Sequence, residues 1–432
     1  MIDDISKITC CIVDHGLFLP VAHRMAEACK RVLYHVPSEE GFPTINRCII
    51  GDGFDDIEKR DDIWAVKNEV DLFCFPDIGF SGLQLELESQ GKLVWGSRRA
   101  DSLEIYRQKF HRVLEETGLP VPTFTVVQGL NKLREHLKGV EDKYIKISRY
   151  RGSLETTHWR SWSLDEGMLD ILAVRFGPAK ELIPFLVFDA IETDLELGSD
   201  TYTVDGQWPS VMLHGLEHKD KGYIGAVTKR SDLPSQLNDV LDAFGPVLKQ
   251  YRCRNQWSTE VRVKDGVGYF TDPTPRGGIP STPSQLKLWK NFPEIVLAGA
   301  QGELLEPEYD FLFSAECMIT GKSSKEQWPA VEIPDELKEW TAFGNCCEID
   351  GRLVFPVDDS HDNDLGWLTA VGNTLQETIE NLKDHADLLP PGLDADTDSM
   401  VDLLAEALKA EKEGIQFTSQ RVPDPVTAVS VD

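Results

Sequence analysis

The chain is short of positive charge. Its 432 residues carry 44 Lys and Arg against 73 Asp and Glu, a formal charge of −29. A nucleic-acid backbone or an anionic membrane needs a basic face, so neither is expected as a partner. ATP is not excluded, because a few local cations with Mg²⁺ can hold its phosphates. Disulfide and zinc signatures are missing too. The nine cysteines are odd in number and scattered, with no CxxC among them, which points to a reducing cytoplasm and no disulfide framework. No apolar run approaches the ~18 residues of a membrane span. The opening MIDDISKITCCIVDHG has neither the basic start nor the apolar stretch of a signal peptide, so a cytoplasmic protein is expected. His214 and His218 are four apart but lack a third ligand, which argues against zinc. Residues 320–323 (TGKS) imitate the end of a Walker A loop, yet Glu316 stands where its first glycine belongs. No GxGxxG follows a strand, no GxSxG elbow occurs, and no Cys–His arrangement suits an acyl-enzyme. Without a nucleophile, direct phosphoryl transfer is favoured over covalent catalysis.

What is present reads as a globular chain of two to four domains. Apolar strand runs at 8–13, 47–50, 70–75 and 92–95 alternate with helical stretches, one of them over 22–34. That alternation predicts a parallel sheet with helices on its faces. Ligands in such sheets sit beyond the strand carboxyl ends, which points to the loops 14–18 and 77–82. The turn glycines there fit an ordinary loop equally well. Further on, a helix is expected over 104–117, strands over 124–127, 144–147 and 182–188, and a strand pair around Asp205-Gly206. Helices are expected over 233–251, 284–299 and 375–388. From about residue 305 short strands and turns dominate. An acidic linker, one short helix and a loose tail close the chain.

The most informative segment is WSTEVRVKDGVGYFTDPTPRGG, residues 257–278. Runs 258–264 and 267–272 flank a Lys-Asp-Gly turn and read as a hairpin. Glu260 and Asp272 lie toward its open end, where pairing can bring their carboxylates together. Arg276 and Gly277-Gly278 follow. Mg²⁺ needs one or two carboxylates with phosphate and water oxygens, and this segment supplies them. A surface hairpin with ordinary acidic residues remains the alternative. Lys146 sits inside the apolar strand KYIKIS. It is either a phosphate ligand or a lysine on the solvent face. Lys219 in GLEHKDKG is either a phosphate clamp or part of a solvated charge run. The basic, glycine-containing loop 148–157 is expected to be a lid over the phosphates.

The order of these features resembles the ATP-grasp superfamily, and within it the phosphoribosylamine–glycine ligase (GAR synthetase) family, over about 390 residues. LEIYRQKFHRVLEETGLPVP is similar to LEgSKxFxK…gIPtA, with Arg107 at the phosphate lysine. YIKIS resembles VVVKP, with Lys146 as a second phosphate lysine. FLVFDAIETDLELG resembles the adenine hinge VIEEFLxGxE, and EHK resembles DHK. Asp272, Thr274 and Arg276 stand in for the Glu, Asn and Arg of ExNxR, a dozen residues after Glu260. LTAVGNTLQETIENL is similar to VxALGxTLxEAxxxA. Two family segments differ: PNTGGMG is replaced by KDKGYIGAVTKR, and FGDPExQ by GGIPSTP.

The resemblance implies an α/β chain with the ATP-grasp fold. It divides into an N-terminal parallel αβ domain (1–100), an ATP-grasp domain (101–305), a small C-terminal α+β domain (306–390) and a tail (391–432). It implies ATP and Mg²⁺ as cofactors, and small-molecule carboxylate and amine substrates joined as an amide through an acyl phosphate. ATP would be held by Arg107, Lys146, Phe188, Asp189, Ile191, Glu196 and Lys219. The metal would be held by Glu260, Asp272 and Thr274. Arg276 and Lys219 would be catalytic. The substrate would lie among Arg276, Gly277, Gly278, Asp77 and Gly79. The two altered segments imply a changed substrate site. GAR synthetase itself, or a non-catalytic nucleotide-binding scaffold, are the alternatives. Oligomeric state stays open.

Overall fold

The computed structural model describes residues 4–37, 49–148, 156–193, 195–218, 221–321, 328–356 and 364–423. Five strands open the fold: β1 (Thr9–Val13), β2 (Arg31–His35), β3 (Glu58–Lys59), β4 (Leu72–Cys74) and β5 (Leu93–Trp95). They form a parallel sheet in the order β3-β2-β1-β4-β5. Every residue of β1 is buried, as a strand covered on both faces requires. β1 and β4 are neighbours, so the loops that follow them leave the sheet side by side.

A smaller antiparallel sheet follows, from β6 (Phe124–Gln128), β7 (Lys143–Ile147), β8 (Thr156–Trp159) and β9 (Pro184–Asp189), in the order β6-β9-β7-β8. Val127, Ile145, Ile147, Phe185 and Val187 pack with residues of the helices Leu130–Leu137 and Trp162–Phe176. Strand alternation therefore sends Lys146, Leu186 and Phe188 to the opposite face.

The third sheet takes β10 (Glu196–Val204), β11 (Val211–His218), β12 (Gly222–Lys229), β13 (Arg254–Lys264), β14 (Val267–Thr274) and β15 (Phe313–Gly321). After the short β16 (Ala330–Val331) come β17 (Thr341–Phe343), β18 (Cys347–Ile349), β19 (Arg352–Val354), β20 (Asp364–Gly372) and β21 (Leu393–Ala395). The order is β14-β13-β10-β11-β12-β15-β20-β17, with β21 beside β15, while β16, β19 and β18 form a separate small sheet. The hairpin and the strands after residue 305 thus share one sheet.

Several local expectations need correction. The stretch 22–34 is not one helix: a helix spans Leu19–Ala26 and β2 begins at Arg31. The run RVLYH is β-branched and aromatic and is buried between β1 and β3, so sheet packing overrides the helical spacing. Residues 49 and 50 lie in a turn rather than a strand; residues 47 and 48 are outside the described residues. The helix expected over 104–117 is two, Asp101–Ile105 and Arg107–Thr117, broken at Tyr106 (φ −110°, ψ 81°). The stretch 284–299 is likewise two helices, Thr282–Leu288 and Phe292–Gln301, the second opening with Pro293 in its first turn. The helix Trp162–Phe176 had no counterpart in the sequence reading.

Candidate functional site

The hairpin β13–β14 turns at Asp265 and Gly266, both at positive φ (52° and 78°), the backbone a tight two-residue turn demands. Its register starts at Lys264 opposite Val267 and would place Thr271 opposite Glu260. A bulge between Glu260 and Val261 adds one residue, so Asp272 stands directly opposite Glu260. The bulge re-aims the acid, as such irregularities do. Thr271 is put to use: its hydroxyl donates to Glu260 Oε1 at 2.7 Å. Thr274 lies opposite Ser258, two residues along the same face.

Cations reach Asp272 from two other elements. Arg107 opens the helix Arg107–Thr117, is almost wholly buried, and donates from Nη1 to Asp272 Oδ1. Lys146 crosses from β7 of the small sheet; its Nζ lies 3.6 Å from Asp272 Oδ2 and donates to the Thr271 carbonyl at 3.2 Å. Lys146 is therefore not on a solvent face. One helical turn after Arg107, His111 packs on Phe124 and Phe188, with ring centroids 4.7 and 4.9 Å apart. Burial, then the charges of Lys146 and Arg107, push this imidazole down to about 3, so it is neutral at pH 7. Phe188 lies on β9, flanked by Phe124 of β6 and Tyr144 of β7. Asp189 donates its amide to the Thr123 carbonyl and its side chain pairs with Lys143 at 2.8 Å. The Ile191 carbonyl accepts from the Thr193 amide. Glu196, on β10, pairs with Arg262 at 3.1 Å. Burial, then the charge of Glu260, raises it to about 8.

Among the described residues no three His, Cys, Asp or Glu side chains converge into a protein-only metal cage. Mg²⁺ does not need one, since water and phosphate complete its shell. Two opposed carboxylates, with Glu196 burdened by the charge of one of them, fit such a cation.

Past the hairpin the chain meets the N-terminal sheet. Arg276 donates to Glu104 from Nε at 3.0 Å, pairs with it through Nη2 at 3.0 Å, and donates from Nη1 to the Gly277 carbonyl. Its Nε is 3.9 Å from Asp77 Oδ1. The Gly277 amide, expected beside the substrate, gives its hydrogen to the Pro76 carbonyl at 2.9 Å. The Gly278 carbonyl accepts from Thr282. Gly79, at φ +96°, lies beside His15 in the loop after β4. The segment GGIPSTP is fixed from β15: Glu316 accepts the amides of Ser281 and Ser284 and the Ser284 hydroxyl at 2.6–2.8 Å. These bonds hold Ser281 at φ +95°, a conformation an L residue rarely adopts. Lys219, loop residues 149–155 and Lys322-Ser323 lie outside the described residues.

No protein-family model and no curated protein sequence matches the chain. Solved structures do. A phosphoribosylamine–glycine ligase from Thermotoga maritima superposes with a TM-score of 0.66 at 15% identity, covering 90% of this chain and 99% of its own. A biotin carboxylase from Campylobacter jejuni, in a beta-gamma-ATP complex, gives 0.64 at 13% identity over 95% and 98%. An L-amino acid ligase from Bacillus licheniformis gives 0.59 at 15% identity over 90% and 98%. All are ATP-grasp enzymes. This chain has the ATP-grasp fold. Within it, the structure brings Arg107, Lys146, Glu260 and Asp272 together and sets Asp77 beside Arg276. Sequence reasoning pointed to the loop that carries His15 without naming the residue, and it gave no site contact to Glu104, His111 or Glu316. Glu104 and His111 stood inside a quoted motif segment, but nothing local named their partners.

Proposed function

We propose that this ATP-grasp chain is an ATP- and Mg²⁺-dependent carboxylate–amine ligase that works through an acyl phosphate. One observation carries the reading: Glu260 and Asp272 face each other while Arg107 and Lys146, from two other elements, converge on Asp272. In this reading ATP lies between the small sheet and the hairpin. Phe188, Asp189 and Ile191 border the adenine, and Glu196 takes the ribose hydroxyls. Arg107, Lys146 and Lys219 neutralise phosphate oxygens. Glu260, Asp272 and Thr274 would hold Mg²⁺, which when bound offsets phosphate charge and aligns the γ-phosphate. Arg276, beside Gly278, Asp77 and Gly79, holds the acceptor carboxylate by a two-point guanidinium contact like the one it makes to Glu104. The carboxylate attacks the γ-phosphorus and ADP leaves. The amine then attacks the acyl carbon and phosphate leaves. The protein supplies position and charge rather than a covalent link.

The test is trapping. With MgATP, the twenty common amino acids and hydroxylamine, the wild type is expected to form ADP and hydroxamate together. Asp272→Asn is expected to form neither. ADP without hydroxamate contradicts the acyl phosphate. Turnover confined to glycine with phosphoribosylamine identifies GAR synthetase itself.

A further inference from the structure

We infer that Glu316 is a positioning residue for the acceptor: from β15 it fixes the turn that follows Arg276 and so sets the affinity for the acid, an inference that rests on the ligase reading above. β15 is an inner strand, with Glu316 opposite Tyr223 of β12 and Thr369 of β20. The side chain is wholly buried, between Ala315 and Cys317, which are buried too. A carboxylate is tolerated in such a place only where donors meet it. Here the Ser281 amide donates to Oε1 at 2.6 Å, and the Ser284 amide and hydroxyl donate to Oε2 at 2.8 and 2.7 Å. All three donors come from one turn. Burial raises the acid to about 7, and the bonds from Ser281 and Ser284 pull the other way. The turn and the ionised acid therefore hold each other.

The turn is tied at both ends. At its start the Gly277 amide donates to the Pro76 carbonyl at 2.9 Å. Asn255 Nδ2 joins the Phe75 and Pro275 carbonyls, at 3.1 and 3.3 Å. These bonds attach Arg276 and Gly277 to the loop after β4. At the far end stands Glu316. Between the two ends the backbone closes tightly on itself. A Cβ on Gly278 would stand 2.5 Å from Ser281 Oγ and 2.7 Å from the Pro280 carbonyl oxygen, and the Gly278 carbonyl accepts the Thr282 amide at 2.9 Å. Where Gly278 lies thus depends on where Ser281 lies. Ser281 is at φ 95°, ψ −34°, a conformation an L residue keeps only when held. Glu316 holds it by the amide, and its bonds to Ser284 fix the first turn of the helix Thr282–Leu288 that follows.

Glu316 acts through the turn and not on the reacting atoms. Arg107, Lys146, Glu260 and Asp272 meet through contacts among themselves and with Thr271. Loosening the turn is therefore expected to separate the two substrates: the acid is held less well while MgATP is held as before.

The experiment measures that split. The acid that the wild type activates from the twenty common amino acids is varied against saturating MgATP and hydroxylamine, with hydroxamate counted. MgATP affinity is measured separately without acid. Glu316→Gln keeps the size and one acceptor but turns an NH₂ group toward a donor. Its acid KM is expected to rise about tenfold or more, with MgATP affinity unchanged. Adding Ser281→Gly to that variant is expected to recover about threefold, because glycine adopts positive φ without being held. An unchanged acid KM in Glu316→Gln overturns the proposal. So does an equal loss of acid and MgATP affinity, which is what general destabilisation produces, and so does a double variant that recovers nothing. If Glu316→Gln does not fold, Ser284→Ala decides. It removes one of the three donors and leaves the acid in place, so acid KM is expected to rise about threefold with MgATP affinity intact, and an unchanged KM overturns the proposal. A wild type that traps no hydroxamate fails differently: the ligase reading falls, and this inference with it.

Discussion

At the end of the site proposed to hold the nucleotide, charges gather from three elements around one acid. Arg107 comes from a helix, Lys146 from the small sheet, and Asp272 with Glu260 from the hairpin. At the end proposed to hold the acceptor the polar groups are matched to one another. Arg276 is paired with Glu104, the Gly277 amide with the Pro76 carbonyl, and the Ser281–Ser284 turn with Glu316. Two acids side by side under two cations fit the metal and phosphates of the proposed function. Arg276 already holds a carboxylate, that of Glu104, so the substrate carboxylate of the proposed function would have to exchange with it. Under the proposed function the comparison separates an end where cations from separate elements meet paired acids from an end whose polar groups already have partners.

The largest expected effect breaks the nucleotide end. Asp272→Asn keeps an oxygen for Arg107 but removes a charged metal ligand, so steady-state turnover should fall about 100-fold or more with the far-ultraviolet circular dichroism unchanged. At the acceptor end, Arg276→Lys keeps charge but loses the planar fork. It should cost about tenfold or more in kcat with MgATP affinity intact; equal loss of both would erase the distinction between the ends. Lys146→Met should weaken MgATP about tenfold, the loss of one charged contact, and shrink the melting-temperature rise on adding MgATP. An undiminished rise would remove Lys146 from the phosphates.

The smallest effect is electrostatic. The unfolded chain gives up the Glu196 proton near the ordinary carboxylate range, whereas the folded chain holds it to about 8. Between those limits the folded state binds the extra proton, so stability of the ligand-free protein falls as pH rises. Glu196→Gln should flatten that stretch of a melting-temperature profile. An identical slope in the variant would show that Glu196 does not titrate there.

What was legible followed local rules. The Asp-Gly turn announced the hairpin, the apolar run KYIKIS announced the strand that carries Lys146, and the strand–helix rhythm announced the parallel sheet. What was not legible needed the third dimension. The bulge at Thr271 that aligns Asp272 with Glu260 has no sequence mark. Glu104 meets Arg276 across 172 residues of chain. The helix Trp162–Phe176 escaped notice because Leu164, Ile171 and Val174 are exposed while Leu169 and Leu172 are buried, so its apolar residues trace no single stripe. β2 looked helical because only its neighbours β1 and β3 make it a strand.

The most direct test is a structure of the protein with Mg²⁺ and a nonhydrolysable ATP analogue. The account predicts a cation about 2.1 Å from oxygens of both Glu260 and Asp272, with Lys146 turned from Asp272 onto the phosphates and the base beside Phe188. A nucleotide bound elsewhere, or a cation that touches neither acid, would contradict it.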